Sequence, residues 1–362
     1  HTRNAGQRIH LLAHWEVLAH PTPISSAPGY EFLCSYTWAQ TAAGNPTIYV
    51  PGRPPKWTPP ALPTQLEKDH GHQWRDQHAY RTPTHQFEPV FQALAVMNPN
   101  VRFDDVDVVV NRNSLQKLFD FATFKRGTQF HVSLDMVHNT LFIGRQERNA
   151  RTAPNSGYGR SFEAAFTSAD PNQPLADGHH RVIKYALGGL NLVVRMEADA
   201  YYPDAHTHAN DEGEFFLNTL HVKGTSGIPS SHSTTVIPLA LQSRTPHAHT
   251  LELKSSSTLS AAMPQMWFGR TPYVCLGKHR GGRITAADVV HLQRRDFAAW
   301  EEKHQRGLRR LAWLLADLKR VVTEKGGGAA LLVAIERGAP VQVFEARGAK
   351  GALPGGVVER FW

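Results

Sequence analysis

The chain has only two cysteines in 362 residues, Cys34 and Cys275, too few for a disulfide framework or a structural zinc site. An intracellular, reducing setting, nuclear or cytoplasmic, is the expectation that follows. No apolar run approaches the roughly 18 residues of a membrane span. The hydrophobic share of 41% is that of an ordinary soluble protein, so no membrane partner is expected. The opening His-Thr-Arg-Asn-Ala-Gly lacks the apolar segment of a signal peptide, and a start without Met suggests a trimmed chain. Acids are the scarcer charge: 31 Asp and Glu against 39 Lys and Arg leave a formal net charge of +8. That balance favours a polyanionic partner through phosphate neutralisation. With no internal repeat and no clean linker, 1–362 reads as a single α+β domain.

Several elements are legible. Residues 45–64 are too rich in proline for a helix or a central strand and are expected to wrap the surface, anchored by Trp57. A helix is predicted from Glu88, with Pro89 in its first turn and Phe91, Leu94 and Met97 inward. Asp105–Val110 reads as a strand, followed by a helix that aligns Leu115, Leu118, Phe119 and Ala122. Alternation over 129–143 predicts a hairpin turning at His138-Asn139. Two strands flank Gly188-Gly189, and 203–235, poor in periodicity, reads as an insertion. From Phe297 a long amphipathic helix runs to Gly326-Gly-Gly328, and a closing hairpin pairs Leu331–Ile335 with Val341–Phe344.

Chemistry concentrates on two short strands. In Arg195-Met-Glu197-Ala-Asp199 the two acids are spaced to share one strand face, and in Leu251-Glu252-Leu-Lys254 so are an acid and a lysine. Carboxylates that close repel unless a cation lies between them, and hard oxygen donors suit Mg²⁺ or Mn²⁺. Such a cation lowers the pKa of a bound water and neutralises charge on a phosphoryl oxygen, while a lysine steadies the nucleophile or the phosphorus. Either pair alone reads as a solvated face. Their order and the apolar flanks Val193-Val194 and Leu251-Leu253 point to function.

Five elements in order give this pattern a family. Arg112-Asn-Ser-Leu-Gln-Lys117-Leu, Gly157-Tyr-Gly-Arg-Ser-Phe-Glu163, the Arg181–Asp199 passage, Glu252-Leu-Lys254-Ser-Ser and Gln265-Met-Trp-Phe-Gly269 stand as in one known group. Over about 105–285 the chain resembles, as a divergent fungal-like member, the DXO/Rai family of RNA 5′-end decapping and exonuclease enzymes. The resemblance implies mixed twisted β-sheets with flanking helices around a PD-(D/E)XK-like nuclease core. It implies a Mg²⁺ or Mn²⁺ shell of Glu163, Asp199, Glu252 and the Leu253 carbonyl, with Glu197 acting through water. Arg112, Lys254 and Gln265 would face the scissile phosphate and first nucleotides, and Glu197, Asp199, Glu252 and Lys254 would carry catalysis. The implied substrate is an RNA 5′ end (incompletely capped, triphosphate or NAD-capped), with 5′–3′ exoribonuclease activity as a companion. The alternative is a non-catalytic RNA-end-binding partner of a 5′–3′ exoribonuclease.

Departures from the family pattern are local. Glu197 and Glu252 lie 55 positions apart (252 − 197), a gap that 203–235 accounts for as an insertion near the pocket mouth. Met196 replaces the glycine before E-x-D, and the arginine after the last glycine is displaced to Arg280. The pairs His206/His208 and His247/His249 lack a third ligand for zinc, and His179-His180 is expected to pack or touch substrate. Phe103-Asp-Asp-Val-Asp107 misses D-D-x-x-D spacing, and Arg306–Arg310 with Lys319-Arg320 reads as a solvated face or a surface for RNA or protein.

Overall fold

A computed structural model describes residues 5–41, 45–71, 77–125, 129–146, 157–173, 176–203, 234–241, 244–336 and 338–362. The chain opens with β1 (Ala5–Leu12), β2 (Glu31–Ala39), β3 (Thr47–Val50), β4 (Lys56–Trp57) and β5 (Thr64–Gln65). Helices α1 (Gln77–Arg81) and α2 (Glu88–Met97) precede β6 (Val108–Asn111), α3 (Arg112–Ala122), β7 (Phe130–Val137) and β8 (Thr140–Gln146). Next come α4 (Gly159–Phe166), β9 (Thr167–Ser168), β10 (Ala176–Leu187), β11 (Leu190–Ala198) and β12 (Ala200–Tyr201). Then follow β13 (Thr235–Pro238), β14 (Thr250–Lys254), α5 (Leu259–Gly269), β15 (Tyr273–Arg280) and β16 (Arg283–His291). The last elements are α6 (Arg294–Lys325), β17 (Ala329–Ala334), β18 (Val341–Ala346) and α7 (Gly355–Phe361).

Two mixed sheets result, as expected of the α+β class. The larger runs β1-β18-β17-β7-β8-β6-β11-β10-β2-β3-β13, the smaller β5-β16-β15-β14-β12-β4-β9. At the centre of the larger sheet, β6 lies parallel to both β8 and β11, so all three end on the same edge. One apolar core fills the face under α3, α5 and α6, and a second fills the opposite face under α2 and α7. A third joins the smaller sheet to α4 through Phe162, Phe166, Leu251, Leu253 and Cys275. Both cysteines are free and buried. Among the described residues no helix is long and apolar enough to cross a membrane.

The local reasons match the side chains. On α3 the stripe Leu115, Leu118, Phe119 and Ala122 is buried, as its spacing requires. Gly188 and Gly189, at φ 58° and 83°, make the two-residue turn that pairs Leu187 with Leu190. The hairpin of β7 and β8 turns at His138, itself at φ 48°. Helix α6 stops at Gly326, after which Gly327 and Gly328 are left-handed.

Three expectations change. Residues 45–64 do not simply wrap the surface. β3 is a buried strand between β2 and β13, and β4 lies between β12 and β9. The prolines Pro46 and Pro51 flank β3 and leave its ladder donors intact, which is why the strand survives. Trp57 is the buried anchor expected, packed on Phe166. The Asp105 strand starts only at Val108, because Asp105 and Asp107 pair with Lys184 and Lys319 at 2.6 and 2.7 Å. Of the expected insertion, 204–233 lies outside the described residues, as do His206 and His208, and Thr235 already opens β13.

One buried carboxylate fastens the helix that will matter most. Glu301 on α6 accepts from the Trp267 indole of α5 at 2.8 Å and from the Ser26 amide at 2.9 Å. Truncating it strands the buried indole donor, a loss of about 2–3 kcal/mol. Glu301→Ala is therefore expected to lower the urea midpoint by that equivalent; an unchanged midpoint would show that α5 is held by apolar packing alone.

Candidate active site

The site is built around Glu252, on β14. Alternation sends Leu251 and Leu253 into the apolar core of the smaller sheet and leaves Glu252 on the other face, only 3% exposed. Its Oε1 accepts from the Lys254 ammonium at 2.6 Å and from the Gln265 amide, and its Oε2 accepts from Arg112 Nη1 at 3.2 Å. Arg112 opens α3 directly after β6, and Gln265 lies on α5. Three side chains, from β14, α5 and α3, thus meet at one carboxylate.

Asp199 joins from the neighbouring strand. The expectation that Glu197 and Asp199 share one strand face needs correction: β11 ends at Ala198, and Asp199 sits where the chain crosses to β12 in the second sheet. It is pinned there by the Leu253 amide, which donates to its Oδ2 at 2.8 Å. Glu197 and Asp199 consequently flank the junction of the two sheets instead of standing on one pleated face. Glu163 comes from α4, whose Phe162 and Phe166 bury against the smaller sheet.

The electrostatics divide the acids into two kinds. Burial pushes Glu163 up to about 7, with Glu197 and Glu252 adding repulsion. Burial raises Asp199 well above the carboxylate range, reinforced by Glu252 and Glu163 and opposed by Lys254 and the Leu253 amide. Glu197 is raised by the protein packed around it and then by Glu252, although its side chain is exposed to solvent. Burial also pushes Glu252 upward, but Lys254 and Arg112 outweigh it and hold the group below its ordinary value. Lys254 stays charged against its own burial because Glu252 and Asp199 face it.

Among the described residues no three His, Cys, Asp or Glu side chains already stand as a metal-holding group. The reason is visible at Glu252, whose oxygens are taken by Lys254, Gln265 and Arg112. The donor set nevertheless suits a hard divalent cation in kind, being all carboxylate oxygen with three members whose ionisation is suppressed.

Sequence reasoning missed the supports. Asp69 caps α4, accepting from the Ser161 amide at 3.0 Å and its hydroxyl at 3.1 Å, and so sets where Glu163 starts. Nothing local announces a partner 92 residues away. Gly178, at φ 78°, lets its neighbours close in: a Cβ there would lie 3.0 Å from Glu197 Oε1 and 3.1 Å from Gln77 Nε2. The Asp177-Gly178 pair is the only local signal. Met196 packs on Gly269 of α5, its sulfur 3.0 Å from the position of a Cβ there. Arg280 is exposed at the tip of β15. His179 and His180 are buried and pack, His180 against Tyr36 and His78, and His247 holds the Gly269 carbonyl at 2.9 Å.

A family profile described as a domain of unknown function (DUF8563) matches residues 6–362. The chain belongs to this family. No curated protein matches it in sequence. In fold, the DUF8563 chain is similar to Candida albicans Rai1, solved in complex with pU5-Mn²⁺, at 12% identity and TM-score 0.59, covering 97% of this chain and 98% of that one. S. pombe Rai1 in complex with 3′-FADP follows at 12% identity and TM-score 0.57, covering 92% and 98%. K. lactis Dxo1 in complex with manganese gives 8% identity and TM-score 0.51, covering 97% and 98%. The likeness is one of fold, and it agrees with the resemblance carried by the five motifs.

The raised acids make a pH signature. A carboxyl whose folded pKa exceeds its unfolded value binds more protons when folded, so stability falls as pH rises from the unfolded value toward the folded one. For Glu163 that window runs from 4.5 to about 7. Between pH 5 and 8 the melting temperature of the wild type should fall more steeply than that of Glu163→Gln, and Mn²⁺ should raise it more at pH 8 than at pH 6. Parallel curves for the two proteins, with no cation effect, would rule out repulsion at this centre.

Proposed function

We propose that this chain is a divalent-cation-dependent hydrolase of RNA 5′ ends. It removes incomplete, triphosphate or NAD-type caps and extends to 5′–3′ exoribonuclease cleavage. The observation that carries the reading is the convergence on Glu252 of Lys254, Arg112 and Gln265, with Glu163, Glu197 and Asp199 crowded beside it. Support comes from the fold shared with Rai1 and Dxo1 proteins solved with pU5-Mn²⁺, 3′-FADP and manganese. The net charge of +8 suits the same substrate. A single domain over 1–362, working inside the cell in nucleus or cytoplasm, completes the proposal.

Glu163, Asp199, Glu252 and the Leu253 carbonyl would hold Mg²⁺ or Mn²⁺, with Glu197 acting through water. The cation supplies Lewis-acid stabilisation of the phosphate and a more acidic water. The chain's own groups do the rest. Lys254, kept cationic by Glu252 and Asp199, meets negative charge developing on the phosphoryl oxygens. Arg112 and Gln265, both held at Glu252, fix where that phosphate sits. Glu252 stays ionised because Lys254 and Arg112 neutralise it, so it is ready for a cation without first losing a proton.

The competing reading is a non-catalytic RNA-end-binding partner of a 5′–3′ exoribonuclease. It draws on one observation, that Lys254 and Arg112 already neutralise Glu252. Incubating 5′-triphosphate, unmethylated-capped and NAD-capped RNA with Mn²⁺ and scoring the released small molecule separates the two. Wild type should process at least one substrate, with Glu252→Ala and Lys254→Ala slower by about 100-fold or more. Identical products from wild type and Glu252→Ala would end the enzyme reading.

A further inference from the structure

Away from the carboxylate centre, cations gather a second time at the far end of α3. A cavity of about 370 Å³ there is lined chiefly by His14, Phe124, Lys303, His304, Arg306 and Arg310, and no carboxylate lines it. Gly307 makes the arrangement fit, since a Cβ at that position would come within 2.4 Å of Thr123 and 3.0 Å of the Phe119 ring. Its bareness brings the cationic turn of α6 down onto the end of α3. Among the described residues no acid forms an ion pair with Lys303, Arg306 or Arg310. Arg310 donates to the His14 carbonyl, while Arg310 Nε and His14 Nδ1 are buried without a hydrogen-bond partner among the described residues. Buried polar atoms of that kind are uncommon and ask for a ligand or water.

Aromatic rings border the cations. Phe124 is 41% exposed and stacks on the His14 imidazole, centroids 3.9 Å apart and planes 18° apart. Its backbone is left-handed at φ 56°, a conformation that costs a bulky residue about 1–3 kcal/mol and persists where the surroundings impose it. Trp15, 66% exposed and outside the cavity lining, stands edge-on to His14 at 5.1 Å. Cations without acids fit any phosphate ester. Cations beside exposed flat rings are the pairing used for single-stranded nucleic acid, phosphates on the charges and bases on the rings.

We propose that this pocket is a second contact for single-stranded RNA, in which Lys303, Arg306 and Arg310 hold backbone phosphates and Trp15 and Phe124 stack on bases. The proposal rests on the RNA 5′-end reading above. The 11 residues of α3 separate it from Arg112, a span of roughly 16 Å along the helix and the reach of a few nucleotides. A 5′ end in the carboxylate site and a downstream stretch in the pocket would let the chain grip long RNA more tightly than short.

The test compares fluorescein-labelled 15-nucleotide and 3-nucleotide 5′-phosphorylated RNAs by anisotropy in EDTA, and hydrolysis of the 3-mer in Mn²⁺. Lys303→Glu/Arg306→Glu should bind the 15-mer at least tenfold more weakly, with the slope of log K against log salt shallower by about 1.4 for two lost phosphates. Hydrolysis of the 3-mer should be unchanged. Trp15→Ala, which removes no charge, should weaken the 15-mer several-fold at an unchanged salt slope. Equal 15-mer binding by wild type and both variants, or no RNA binding by wild type, overturns the proposal. So does a doubly phosphorylated peptide that binds wild type but not the charge variant while RNA binds both alike. Pocket-dependent RNA binding without cleavage would instead fail the enzyme reading and leave this one standing.

Discussion

The arrangement depends on keeping one carboxylate ionised where burial alone would neutralise it. Glu252 is almost wholly removed from water, and an isolated ionised group there would take up a proton. Lys254 and Arg112 tip the balance, and Gln265 satisfies a remaining lone pair. Each of these partners has its own anchorage: Arg112 at the end of β6, Gln265 on a helix tied to α6 through Trp267 and Glu301, Lys254 on the same strand. Moving any one of these elements changes the charge state of the centre, so packing and chemistry are the same constraint seen at two scales.

The two sheets explain why the acids assemble where they do. β11 runs beside β6 in the larger sheet and hands the chain to β12, a neighbour of β14 in the smaller one. Asp199 is the residue of that handover, and its bond to the Leu253 amide takes the place of a ladder contact. The site therefore sits at the shared edge of both sheets, at the C-terminal ends of parallel strands, where α/β arrangements commonly leave room for a ligand. Glu197 lies two residues before Asp199, exposed to solvent.

Much of this was legible because it was periodic or local. The period of two put Glu252 and Lys254 on one face, and they do form an ion pair. The stripe of α3, the glycine turn after Leu187 and the glycine stop of α6 followed from rules that act within a few residues. What escaped was long-range. Asp69 caps a helix across 92 positions, Gln77 and Glu197 both crowd the bare Gly178, and β3 is paired on both sides although prolines bracket it. Periodicity also overreached at Asp199, where a regular strand pattern continued through a change of sheet.

The resting charge balance gives the site its character. Raised acids and cationic side chains stand where a divalent cation would neutralise the same oxygens: burial and neighbouring acids push Asp199 well up and Glu163 to about 7, and Glu252 leans on Lys254 and Arg112. A group of acids already spread to coordinate an ion would have to endure its own repulsion whenever the ion left. Here the ion pairs of Glu252 with Lys254 and Arg112 relieve that repulsion, in keeping with the lack of a ready-made ligand trio among the described residues. On the proposed reading, Glu163, Asp199 and Glu252 would hold the cation, which would supply positive charge that Glu252 now draws from Lys254 and Arg112, and the Lys254 ammonium would face the phosphate. Affinity for the cation and the readiness of Lys254 would then be linked through Glu252, whose Oε1 the ammonium now holds.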